Sequence, residues 1–206
     1  MEAATGTQTP STTGPVATGA ISFAGEAFQS AVLNSTNYHR AQHQASSLVW
    51  NSTLASFAQS HASKCLWQHS GGPNGENLAS GYISPIPAID AWADEESKYN
   101  YRHPGFHEST GHFTQLVWKS TTSVGCAATQ CDNAAVGNGA KGWLMVCEYS
   151  PPGNVGGEFR EEVSKAGENG REQLGFGLGE RTVGGVGKRV AAALVVLHLL
   201  GLFLRV

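Results

Sequence analysis

The sequence predicts an α+β fold, and three observations carry that reading. Apolar residues recur at helical spacing through the first half of the central segment. The second half switches to short strand-like runs bounded by Gly, Asn and Pro. Helices first and strands later is the order of an α+β layer fold, and no internal repeat of 20–50 residues competes with it.

The elements follow in order. Residues 1–26 are rich in Thr, Gly and Pro and read as a disordered arm that O-glycans would decorate. From Glu26 to Arg40 the spacing of Phe28, Val32 and Leu33 predicts a helix. Asn51-Ser52-Thr53 offers cap residues for a second helix, whose stripe is Leu54, Phe57, Ala58, His61, Ala62 and Cys65. Ser70–Gly75 (SGGPNG) breaks the chain. Pro85 and Pro87 bracket the start of a third helix carrying Ile89, Trp92, Ala93 and Glu96. Strands are predicted over 123–129 and 142–149, joined by a long hairpin loop and ended by Pro151-Pro152-Gly153-Asn154. A central domain over 27–163 is thus followed by a glycine-rich spacer (164–189) and an apolar tail (190–206).

Composition narrows the function. The 206 residues suit one ordinary domain with extensions. Charged residues are only 14% and the formal net charge is -3, so no basic excess exists to neutralise phosphates and nucleic acid is excluded as the main partner. Cys65, Cys126, Cys131 and Cys147 form no CxxC pair and no zinc-finger spacing; two disulfides and four buried thiols both fit an even count. Asn34-Ser35-Thr36 and Asn51-Ser52-Thr53 are N-glycosylation triplets. Small residues, a polar spacer and the tail VAAALVVLHLLGLFLRV are the parts of a GPI-attachment signal, with Gly177-Leu178-Gly179 the preferred attachment region. A tail-anchored membrane helix is the alternative. Residues 1–20 have neither an apolar nor a basic leader region and do not read as a signal peptide.

Four blocks give the central segment a resemblance. They are Thr36-Asn37-Tyr38-His39-Arg40, Gly75-Glu76-Asn77-Leu78, Gly111-His112-Phe113-Thr114-Gln115-Leu116-Val117-Trp118, and the run from Leu144 to Asn154 (LMVCEYSPPGN). In order and spacing they resemble the CAP superfamily of cysteine-rich secretory, antigen 5 and pathogenesis-related 1 proteins. The stretch from Ala91 to Trp118 is most similar to its fungal pathogen-related-in-yeast subgroup. Two positions depart from the family pattern: Thr36 stands where His is usual, and Glu148 where a neutral or basic polar residue is usual.

The resemblance implies a three-layer α-β-α sandwich and an extracellular, cell-surface or cell-wall protein. It implies disulfides Cys65–Cys131 and Cys126–Cys147. It also implies a cleft in which His69, Glu76, Glu95 and His112 bind a divalent metal, zinc or magnesium, with Glu95 preferred over the adjacent Glu96. Imidazoles suit zinc, and carboxylates complete or orient such a shell. Tyr99, Tyr101 and Phe106, in the loop turned by Pro104-Gly105, are implied as exposed aromatics that contact a sterol; a fatty acid is the related ligand. Spacing alone leaves simpler roles open: a turn-bound His112, a loop carboxylate at Glu76, and tyrosines that merely cover the core. His39 and His43, at i and i+4, read as surface histidines flanking a structural Arg40, and His61 as a packed one. The competing function classes are a metal-dependent hydrolase, for which neither HExxH nor GxSxG is present, and a host-interaction protein displayed at the cell wall.

Overall fold

A computed structural model describes residues 23–131 and 139–167. In chain order these form α1 (Gly25–Gln42), β1 (Val49–Trp50), α2 (Ser52–Ala62), β2 (Gly75–Ser80), α3 (Pro85–Asp94), α4 (Gly111–Leu116), β3 (Ser123–Cys131), β4 (Gly142–Ser150) and α5 (Phe159–Glu162). Two 3-10 turns, Glu95–Lys98 and Glu108–Thr110, lie between α3 and α4. The predicted GPI signal, apolar tail and most of the arm and spacer lie outside the described residues. Among the described residues no helix is long and apolar enough to cross a membrane.

The strands form one sheet in the order β1-β3-β4-β2, with β1 parallel to β3 and the other pairs antiparallel. Side chains alternate across a strand. Along β4 this sends Leu144 and Val146 to a cluster with Ala58 and Ala62 of α2. Met145, Cys147 and Tyr149 face the opposite way, into the main core with Val32 of α1, Trp92 of α3 and Phe113 of α4. Helices therefore cover both faces, which is the expected α-β-α sandwich. Asn51 caps α2 by accepting the N–H groups of Thr53 (2.9 Å) and Leu54 (3.2 Å). Gly125 lets that capped end lie directly on β3, because a Cβ there would fall on Ala55 N and Asn51 O.

The predicted helices are present with small shifts. α2 ends at Ala62 and does not reach Cys65, whose φ of +54° is incompatible with a continuing helix. α3 ends at Asp94, and Glu96 falls in the tighter turn that follows. Four elements were not anticipated: two-residue β1, β2 over the GENL block, six-residue α4 and four-residue α5. Both disulfides pair as the resemblance implies. Cys126 and Cys147 are directly opposite in the β3–β4 register, and Cys65 ties the end of α2 to the last residue of β3. The 132–138 part of the hairpin loop lies outside the described residues.

Arg40 is fully buried and binds only backbone carbonyls. Its Nε donates to Ser46 O (2.8 Å), Nη1 to Leu116 O (3.0 Å) and Trp118 O (2.8 Å), and Nη2 to Thr121 O (2.9 Å). One side chain thus pins α1 to the turn that leads from α4 into β3. The neighbouring histidines need a correction. His39 is partly exposed and bonds Asp90 (2.8 Å), but His43 is buried, since it continues the inward face of Val32, Thr36 and Arg40. Its Nδ1 meets Ser164 O at 2.7 Å. The glycosylation candidate Asn34 is exposed on α1. Asn51 caps through Oδ1, which leaves its nitrogen for a sugar.

Candidate functional site

A cleft of about 530 Å³ opens where the start of β2 meets the end of β4. It is lined by Trp67 and His69 from the loop before β2, Glu76 and Leu78 of β2, and Phe106 and His112 from the segment that leads into α4. Gln115 closes the back. It is fully buried, and its Oε1 accepts the Gly153 N–H at 2.8 Å. A Cβ on Gly75 would fall on this amide, so the glycine of the GENL block is needed for close approach.

The four residues expected to bind metal are brought to this region as two pairs. His69 Nδ1 lies 2.6 Å from Glu76 Oε1, and the Ser70 N–H also donates to that oxygen (3.0 Å). Burial raises the Glu76 pKa, but hydrogen bonds from His69 and Ser70, with the Glu148 carboxyl alongside, outweigh it and hold the group below the usual carboxylate range. An ionised carboxylate only accepts, so the proton between them sits on His69 Nδ1. That bond, against some desolvation, raises the His69 pKa.

In the second pair, His112 Nδ1 lies 2.7 Å from Glu95 Oε1. Glu95 Oε2 accepts the N–H groups of His112 (3.0 Å) and Phe113 (3.2 Å), so this carboxylate also caps the first turn of α4. The His112 ring stacks on Trp92, and Trp92 Nε1 donates to Leu78 O (3.0 Å), which fixes α3 on β2. Glu96 is not an alternative partner: it accepts the Tyr101 hydroxyl at 2.8 Å. Among the described residues no three His, Cys, Asp or Glu groups gather closely enough to hold a metal jointly. Both carboxylates are committed to imidazole N–H groups, and each ring keeps its Nε2 free of them.

Glu148 adds an unusual feature. It pairs in register with Glu76 across β2 and β4, on the same face of the sheet, and it is fully buried. Glu76 and Asn74 lie beside it, yet neither Glu148 oxygen completes a hydrogen bond of good geometry. Burial above all, then the adjacent Glu76, pushes its pKa up, which keeps it protonated where Glu76 is ionised.

The aromatic loop differs from the expectation of three exposed rings. Tyr99 is 7% exposed and belongs to the core, with its ring 5.7 Å from that of Phe113. Tyr101 is half-buried against Tyr99. The Pro104-Gly105 turn brings the loop back over α4, so both tyrosines are packing residues. Phe106 alone is exposed, at 57%. Trp67, 48% exposed, also lines the cleft and was not singled out from the sequence; a Trp two residues before His69 was the available signal.

The comparisons with known proteins agree with this picture. The model of the cysteine-rich secretory protein family, CAP, matches residues 33–149, more than half of the chain. The chain belongs to this family. "Repressed by EFG1 protein 1" of Candida albicans is 43% identical over 136 residues, covering 62% of this chain and 47% of that protein. Protein PRY2 of Saccharomyces cerevisiae is 41% identical over 141 residues, covering 66% of this chain and 41% of its own length. The chain thus spans less than half the length of these two relatives. It covers 81% of the Medicago truncatula pathogenesis-related protein PR-1, at 40% identity. Among solved structures, NaASP2 with Zn2+ superposes with a TM-score of 0.56 at 20% identity, covering 72% of this chain and 90% of that one. The hookworm platelet inhibitor gives 0.54, also at 20%, covering 75% and 85%. At such identity these two likenesses concern the fold alone.

Proposed function

We propose that this CAP protein works outside the cell as a lipid-binding module, holding a sterol or a related small apolar lipid such as a fatty acid at the mouth of its cleft. The observation that carries the reading is the pair of exposed aromatics, Phe106 and Trp67, that line one cavity. Two such rings offer a flat apolar skeleton a broad contact surface. The two disulfides suit an oxidising compartment. Attachment through residues 190–206 would hold the module at the cell surface.

A divalent metal fits the interior of the same cleft. His69 and His112 would hold it through Nε2, while Glu76 and Glu95 orient the rings from behind, the carboxylate–histidine arrangement common around zinc. A nitrogen donor set favours zinc over magnesium, which prefers oxygen ligands. NaASP2, a structural relative, is described with Zn2+. Zinc would supply Lewis acidity there. The hydrolase alternative needs a carboxylate free to accept a proton from water, and both Glu76 and Glu95 are already engaged.

Saturable binding of radiolabelled cholesterol or ergosterol to the purified full chain tests the main reading. Phe106→Ala and Trp67→Ala are each expected to weaken it several-fold. Undiminished binding by both variants overturns the placement. Absence of any saturable binding overturns the function.

A further inference from the structure

A second cavity of about 500 Å³ lies on the other side of Phe106. Its lining is basic where the main cleft is acidic: Arg102, His103 and Arg160, with Gly105 and the Gly156-Gly157 pair. Among the described residues neither arginine makes an ion pair within 4.0 Å and neither guanidinium donates a hydrogen bond. Glu158 and Glu161 neighbour Arg160 in sequence but form no such pair with it. Glu162, the remaining acid of α5, accepts the Ser120 N–H instead (2.7 Å).

The two guanidiniums thus face one cavity with donors that no side chain around them engages. Oxyanions supply the acceptors together with the negative charge that the arginines lack, and the planar guanidinium fork matches their geometry. Glycines at 105, 156 and 157 keep side chains away from the space and leave backbone N–H groups accessible.

We propose that the cavity between Arg102 and Arg160 is an oxyanion site that takes the sulfate or phosphate end of an amphipathic ligand whose apolar body lies along Phe106. Phe106 lines both cavities, so one molecule can span them. Charge fixes the direction, since Glu76 and Glu108 line the main cleft and repel an anion from it. The amphipathic part rests on the lipid-binding reading above; the oxyanion site does not.

The test uses the full chain and three probes: sodium sulfate at ionic strength matched with chloride, cholesterol, and cholesteryl sulfate. The wild type is expected to bind sulfate saturably. Arg102→Gln with Arg160→Gln should weaken this at least about tenfold, the loss of one charge-assisted hydrogen bond. Lys64→Gln with Lys98→Gln, two exposed lysines that do not line the cavity, should leave it unchanged. No sulfate binding, or equal weakening by both double variants, overturns the site. Cholesteryl sulfate should bind more tightly than either sulfate or cholesterol, and the arginine double variant should reduce it to the level of cholesterol. Cholesteryl sulfate no tighter than sulfate overturns the amphipathic ligand and leaves a free oxyanion as the occupant. Sulfate binding without any sterol binding sinks the lipid reading while sustaining the oxyanion site.

Discussion

Arg40 and Glu148 are both charged residue types with no exposed surface, and they are opposite in every other respect. Arg40 spreads four hydrogen bonds over carbonyls of two separate segments, Ser46 and the turn from Leu116 to Thr121. Glu148 has two oxygens without a completed bond and another carboxylate beside it. The arginine retains its charge, because the carbonyls replace most of the water it lost; burial lowers its pKa only to about 10. Glu148, with nothing comparable, keeps its proton instead. One residue holds the fold together; the other sits beneath the cleft at a cost in stability.

Replacing Arg40 should produce the largest effect. Arg40→Met leaves four buried carbonyls without their donors and separates α1 from the turn into β3. A loss of about 3–5 kcal/mol follows, a large part of the stability of a domain this size. Because Arg40 stays charged across the neutral range, the loss should be the same at about pH 5 and pH 8. Denaturant melts at both values check it; a loss that grew with pH would mean that a titrating neighbour, not the carbonyl set, dominates.

Glu148→Gln should act the other way. Folded Glu148 keeps a proton that the unfolded chain has already released above the ordinary carboxylate range. The folded state therefore binds more protons there, and stability falls as pH rises through neutrality. Glu76 is held low and works in reverse: its contribution is complete above the carboxylate range and is lost as pH falls below it. Glutamine mimics the neutral acid, so the variant should match wild type near pH 5 and exceed it by about 1–3 kcal/mol at pH 8 or above. Parallel curves for the two proteins would remove Glu148 as the source of the pH dependence.

The long periodic elements were legible from sequence, and the short ones were not. α1, α2 and α3 each show enough turns for a stripe to emerge, and β3 and β4 enough residues for a run. β1 has two residues and α4 six, below the length at which any period is visible. β2 is visible only as the GENL block. The site residues were identified by resemblance, since separations of 7 and 17 residues do not say that His69 meets Glu76 or that His112 meets Glu95. Tyr99 was expected to be exposed on the resemblance, beside the alternative that it covers the core; the core position is the observed one, and its packing on Phe113 depends on α4, which was itself unseen. Glu148 was noticed as a departure from pattern, but only the register opposite Glu76 explains what it does.

A third, smaller effect separates the two cleft carboxylates. Glu95→Gln should cost about 0.5–1 kcal/mol, because the first N–H groups of α4 lose a charged acceptor. Glu76 caps no helix, so Glu76→Gln should cost less at neutral pH, and it relieves Glu148 of a neighbouring charge. Equal losses in the two variants would show that the α4 cap adds little.

The smallest effect is also the most discriminating, and it is read at His69 by NMR titration. The raised pKa of this ring depends first on its hydrogen bond to an ionised Glu76. Glu76→Gln should therefore bring it down toward the ordinary histidine value of about 6.5. Glu148→Gln should leave it raised, because Glu76 keeps its charge beside a neutral amide. If instead Glu148→Gln lowered His69 as far as Glu76→Gln does, the charge beneath the cleft would reside on Glu148. The contrast with Arg40 would then fail, since both buried groups would be ions and the proton shared by the acid pair would sit on the strand nearer the solvent.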